Sequence, residues 1–120
     1  MEIREKGNLL IIHLIKGEDV IVCMQNIIRQ YLIIDAKISG YGYFNRIEYG
    51  ILVESDPLFF KKFLCEKLIT ASSVVGLIDN REVAIMINSI DQDNNRHTGK
   101  LLLATVELET VIILDIIKTK

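Results

Sequence analysis

Two histidines and two cysteines are the side chains of this chain best suited to chemistry, and their surroundings decide what each can do. His13 sits between Ile12 and Leu14 in an apolar run, so its ring is expected on one face of a strand with its polar atoms satisfied locally. His97 follows Arg96 near a hairpin and is expected to be a solvated loop histidine. No serine or cysteine stands with a histidine and an acid in a pattern that a catalytic triad would require. Cys23 and Cys65 form no C-x-x-C pair, which removes zinc-ribbon and thioredoxin chemistry. Cys23 falls on an apolar stripe, where a buried, inert thiol is expected and a disulfide is not. The run Asp91-Gln92-Asp93-Asn94-Asn95 has the look of a calcium loop, which needs glycine sixth and glutamate twelfth. Those places hold Arg96 and Leu102, so the run reads as a polar β-turn. Gly40-x-Gly42 follows a strand as a dinucleotide fingerprint does. Tyr43-Phe44-Asn45 then replaces the third glycine and the helix, and the nucleotide reading fails. Glu18-Asp19 suits the start of a helix, and Glu107 with Glu109 suits the wet face of a strand. Nothing here calls for general acid–base chemistry, and no catalytic residue, metal or cofactor is expected.

The elements that must carry these residues follow from periodicity. Leu9 to Ile15 is an apolar run of strand length, ended by Lys16-Gly17. From Val20 the spacing turns helical: Val20, Cys23, Met24, Ile27, Ile28, Tyr31 and Leu32 share one side of a helix of about fifteen residues. Ile33 to Ile38 reads as a strand leading into a glycine turn at Ser39-Gly40-Tyr41-Gly42, whose two glycines allow backbone conformations or close approaches that a Cβ would forbid. Arg46 to Glu54 alternates, with Ile47, Tyr49, Ile51 and Val53 on one face, and Pro57 follows in a turn. Leu58 to Leu64 is ambiguous between a helical turn and an irregular edge. Leu68 to Ile78 and Val83 to Ile90 are strands joined at Asp79-Asn80. Leu101 to Val106 and Glu107 to Ile117 close the order as one bent strand or two. An early helix followed by many strands predicts an α+β domain: a mainly antiparallel sheet or barrel packed on one N-terminal amphipathic helix. A single domain over residues 1–120 fits this length.

Composition narrows the function classes. Half the residues are hydrophobic, a quarter are charged, and the mean hydropathy of +0.32 is high for a small soluble monomer. Self-association accommodates that apolar surplus. A membrane does not, because the run to Ile15 stops at Lys16, and the run from Val106 to Ile117 is broken by Glu107, Glu109 and Asp115. Glu2 and Glu5 do not suit a signal peptide, so a cytoplasmic protein is expected. The net charge is −2, and only Lys61-Lys62 and Lys118 with Lys120 cluster among the basic residues. No nucleic-acid-binding face is visible in such a pattern.

Taken in order, these pieces resemble the PPC domain (plants-and-prokaryotes conserved domain) of the stand-alone prokaryotic type. Lys16-Gly17-Glu18-Asp19-Val20 is similar to that family's turn before its helix, and Ser39-Gly40-Tyr41-Gly42 to the glycine turn after its next strand. Ser73-Val74-Val75-Gly76 and the later strand, polar turn, Arg96 and Gly99 follow in family order. The resemblance spans about residues 8 to 117. It implies an antiparallel sheet around one helix and a homotrimer; in plants the domain is joined to an AT-hook and takes part in DNA binding. This chain has no Arg-Gly-Arg core, and Lys67 to Ala71 does not match the plant contact motif. Many prokaryotic members carry a His-x-His strand and a third histidine able to hold a metal. The matching positions here are Ile85, Ile87 and Leu101, which cannot ligate one.

The expectation is therefore a homotrimeric PPC-like binding or scaffold module, with no enzyme activity assigned. DNA is the partner that the resemblance adds, with Lys61, Lys62, Lys67 or Arg96 gathered on one rim by assembly. A pocket between subunits is the third reading, lined by Asn88, Arg96 and His97 with the Gly40–Gly42 turn, taking a small molecule.

Overall fold

The computed structural model describes residues 1–120 and contains seven strands and one helix. In chain order these are β1 (Glu2–Lys6), β2 (Leu9–Leu14), α1 (Val20–Tyr31), β3 (Ile33–Ser55), β4 (Leu58–Cys65), β5 (Ile69–Asp79), β6 (Glu82–Asp91) and β7 (Arg96–Thr119). All strands join one antiparallel sheet in the order β1-β2-β7-β6-β5-β3-β4, with a further pairing of β7 to β3. The α+β class and the antiparallel pairing are as expected. The alternative of sheet or barrel resolves to this single seven-stranded sheet, in which two long strands each pair with three neighbours.

Those long strands are the main departure from the sequence reading. The two strands expected on either side of a glycine turn are one 23-residue strand, β3, and the two closing segments are one 24-residue strand, β7. Gly40 and Gly42 lie inside β3 where it crosses β7, and the register shifts between Tyr41 and Phe44. A Cβ on Gly40 would collide with the Val111 carbonyl, and one on Gly42 with the Thr110 side chain. The glycines therefore permit a close backbone approach at a bend and not a chain reversal. Leu58 to Leu64, ambiguous in sequence, is most of strand β4, and β1 has no counterpart among the expected elements.

The helix is shorter than its apolar spacing suggests. Leu32 already has left-handed φ and ψ and acts as the C-cap, its N–H donating to the Ile28 carbonyl. Asp19 is the N-cap and precedes the first turn: one carboxylate oxygen accepts from Val22 N–H at 2.9 Å. The other accepts from Ala104 N–H at 2.7 Å, while Gly17 N–H donates to the Val106 carbonyl and Val106 N–H to the Glu18 carbonyl. The helix start is thus sewn to β7. Val20, Cys23, Met24, Ile27 and Ile28 then bury against β3, β6 and β7. One cluster of 26 buried side chains joins these to Ile12, Phe44, Ile47, Ile85, Ile87, Leu101 and Ile112.

Candidate functional site

The inward-facing residues of β6 are Ile85, Ile87, Ser89 and Asp91, and those of β7 are His97, Gly99 and Leu101. One face of two paired strands therefore runs from hydrocarbon to polar groups. Ile85, Ile87 and Leu101 are at most 3% exposed and fill the core, so these three positions hold packing. The polar end gathers four side chains from four strands: Tyr49 of β3, Cys65 of β4, Asp91 of β6 and His97 of β7.

His97 is not a solvated loop residue. It stands at the start of β7, half-buried, with both ring nitrogens engaged. Its Nε2 lies 2.7 Å from Asp91 Oδ2, and its Nδ1 lies 2.8 Å from the Tyr49 hydroxyl. A carboxylate only accepts, so Nε2 carries the proton that it donates, and in the neutral ring Nδ1 accepts from the Tyr49 O–H. Asp91 is more than a turn residue. Its Oδ1 accepts from the N–H groups of Asp93 (2.8 Å) and Asn95 (3.1 Å), which orders the polar turn, while Oδ2 points at the imidazole. The His97 hydrogen bond, and then the two turn amides, lower the Asp91 pKa to about 2 although burial opposes this. Burial, with Cys65 and Asp91 nearby, pushes the Tyr49 hydroxyl up.

Cys65 is buried, and one donor atom from each of Cys65, Asp91 and His97 lies within 4.8 Å of the others. Because both imidazole nitrogens are occupied, neither is free to act as base toward the thiol, and the set is not a cysteine–histidine dyad. A thiol, a carboxylate and an imidazole converging in a partly buried corner is instead a donor set that a borderline-soft cation accepts.

Asp91 also belongs to the wall of a cavity of about 580 Å³, which Lys16, Tyr43, Gln92, Glu107 and Leu108 help to line. On that wall Lys16 pairs with Glu107 at 3.3 Å, and Asn45 donates to Glu107 at 2.9 Å. The Asn45 bond first, then Lys16, hold the Glu107 carboxyl below its ordinary range.

Of the residues expected to line a pocket, only His97 joins this cluster. Asn88 is exposed on the outer face, where its side chain accepts from the Thr98 hydroxyl, and Arg96 is exposed beside it in the strand pairing. Gly40 and Gly42 lie at the β3–β7 crossing, and none of the five lines the 580 Å³ cavity. His13 is satisfied locally, as expected, by Arg4 at 3.0 Å. Cys23 is buried as expected. Burial, and then Glu18, raise its thiol pKa to about 11. Sequence reasoning missed Cys65 and Tyr49. The signal available was slight: Asp91 and His97 end and begin paired strands, so a short turn had to bring them together.

A second feature lies at the far end of β3 and β4. Every residue from Ile51 to Phe60 is exposed, so both faces of this hairpin face solvent. Leu52, Val53, Leu58 and Phe59 are each more than half exposed.

No protein-family model matches this chain, and no curated protein matches it by sequence. Solved structures do match by shape. A candidate DNA-binding protein from Bacteroides thetaiotaomicron superposes with a TM-score of 0.90 at 12% identity, over 99% of this chain and 85% of its own. A plant- and prokaryote-conserved (PPC) protein from Pyrococcus horikoshii gives a TM-score of 0.79 at 16% identity, over 95% and 82%. A metal-containing protein from Archaeoglobus fulgidus also gives 0.79, at 19% identity over 93% and 81%. At these identities the likeness establishes the fold: this chain has the PPC-like fold that its motif order suggested.

Proposed function

We propose that the protein is a homotrimeric binding module whose β3–β4 hairpin docks on a second copy of the chain. The observation that carries this reading is the hairpin itself. In a strand at the surface of a closed core one face is covered, yet Ile51, Leu52 and Val53 are exposed in succession. An isolated two-stranded ribbon with such composition is marginal in water, and contact with another copy would cover it. The accessible surface of 7143 Å² also exceeds the roughly 6,600 Å² usual for a monomer of this mass. The two unpaired buried cysteines suit a cytosolic setting for the module.

Light scattering tests the assembly. The expected mass is three times 13.7 kDa, and Leu52→Lys combined with Phe59→Glu is expected to return it to one chain while the helix signal persists. A wild-type mass of one chain at micromolar concentration sinks the reading.

DNA binding is a second reading, supported by the description of the Bacteroides structure and by a basic pair. Lys62 and Lys100 both register with Gly50, so they flank a glycine on one face of β4, β3 and β7. Three copies would bring several such pairs together. Phosphate-driven affinity falls steeply with salt, so duplex DNA should shift at low ionic strength and lose the shift in Lys62→Glu/Lys100→Glu. The absence of any shift at low salt removes it.

A further inference from the structure

We infer that Cys65, Asp91 and His97 form a binding site for one zinc-type divalent cation per chain, with Tyr49 as its outer support. The donor atoms are Cys65 Sγ, Asp91 Oδ2 and His97 Nε2, drawn from the end of β4, the end of β6 and the start of β7. One ligand atom of each residue lies within 4.8 Å of the other two, and Asp91 Oδ2 and His97 Nε2 are 2.7 Å apart. Bonds of about 2.0 Å to N and O and about 2.3 Å to S set donor separations near 3.3 to 3.6 Å in a tetrahedron. The oxygen and nitrogen must therefore part by about 0.6 Å and the sulfur close in by up to about 1.3 Å, which side-chain rotation supplies.

Three properties separate this corner from a chance grouping of polar residues. Two of the donors are held from behind. Asp91 Oδ1 is fixed by the Asp93 and Asn95 amides, which leaves Oδ2 to face inward, and His97 Nδ1 is held by Tyr49. Such outer partners orient metal ligands and set their basicity. The charges also balance: a thiolate and a carboxylate cancel a divalent ion, so the occupied corner is neutral, as burial requires. Proton accounting closes as well. The thiol proton leaves to solvent, the imidazole proton moves from Nε2 to Nδ1, and the Tyr49 oxygen accepts it there. Three protein donors leave a fourth position for water, and Asp91 belongs to the wall of the 580 Å³ cavity.

This site is distinct from positions 85, 87 and 101, where the resemblance to the PPC domain would place metal-binding histidines. Those positions are packed hydrocarbon here. Asp91 stands four residues beyond Ile87 on β6, about 13 Å away along an extended strand.

The test uses the tag-free full chain, stripped with a chelator and titrated with zinc against a chromophoric competitor. One zinc per chain is expected. Cobalt in its place should give thiolate-to-cobalt charge-transfer absorption with the strong visible bands of a tetrahedral complex. Cys65→Ser and His97→Gln should each weaken zinc at least about a hundredfold, and Tyr49→Phe about tenfold at unchanged stoichiometry. Cys23→Ala should keep both affinity and spectrum. Zinc affinity unchanged in Cys65→Ser, or a cobalt complex of Cys23→Ala without thiolate absorption, overturns the site. That cobalt spectrum decides the matter even if the Cys65 and His97 variants fail to fold.

Discussion

Strands β6 and β7 present the same inward face to two different environments. Toward one end Ile85, Ile87 and Leu101 meet the helix residues in a dry core; toward the other Ser89, Asp91 and His97 meet Tyr49 and Cys65. The register between the strands is continuous from Met86–Lys100 to Ile90–Arg96, so nothing in the backbone separates the two ends. The difference lies in side chains alone. It teaches that a sheet of this kind can exchange hydrocarbon for polar chemistry along one face without altering its topology, provided every buried polar atom finds a partner. That condition is met, since no buried side-chain nitrogen or oxygen lacks a hydrogen bond.

The largest expected effect comes from breaking the apolar end. Ile87→Ala removes a side chain that is 1% exposed, and should cost about 2–5 kcal/mol of stability in urea unfolding. A loss below about 1 kcal/mol would mean that this end is less tightly packed than described. Next comes the chemical contrast between a thiol in the dry core and one in water. Burial and Glu18 hold Cys23 near a pKa of 11 against an ordinary 9.0, so at pH 8 its thiolate population falls about a hundredfold. In a Cys65→Ser background, alkylation followed by mass spectrometry should be slower than for a free thiol by at least that factor. Alkylation at the free-thiol rate would show that Cys23 is not shielded.

The smallest effect sharpens the polar end. The folded pKa of Asp91 is about 2, against about 3.9 in an unfolded chain. Because the folded value is the lower one, the stability that this carboxylate contributes is complete above about pH 4 and is lost as pH falls through about 2. The melting-temperature gap between the wild type and Asp91→Asn should be constant above pH 5 and close toward pH 2. A gap that persists undiminished at pH 2 would show that the charge on Asp91 does not hold the turn and the imidazole.

Much of the fold was legible in the residues. The Leu9 run, the helix with Asp19 at its start, the strand pair around Asp79-Asn80 and the apolar character of positions 85, 87 and 101 all follow from local patterning. The single strand β3 was not legible, because two glycines in sequence look the same whether they turn a chain or let two backbones cross. The His97 environment was hidden for a different reason. A polar residue beside a turn is usually solvated, and only the partner strands show that Tyr49 and Asp91 enclose it.

Sequence by itself determined where the helix starts, the inward face of that helix from Val20 to Ile28, and that positions 85, 87 and 101 carry hydrocarbon, but not that Ile51 and Val53, expected on one face with Ile47 and Tyr49, would be exposed. Periodicity, capping chemistry and side-chain type are local properties, and the chain states them directly. Tertiary structure alone decided which inward residues meet. Tyr49 and Cys65 lie far from the turn of the β3–β4 hairpin and His97 on a third strand, and only the register of β3 with β4 and β7 brings their polar atoms to one corner.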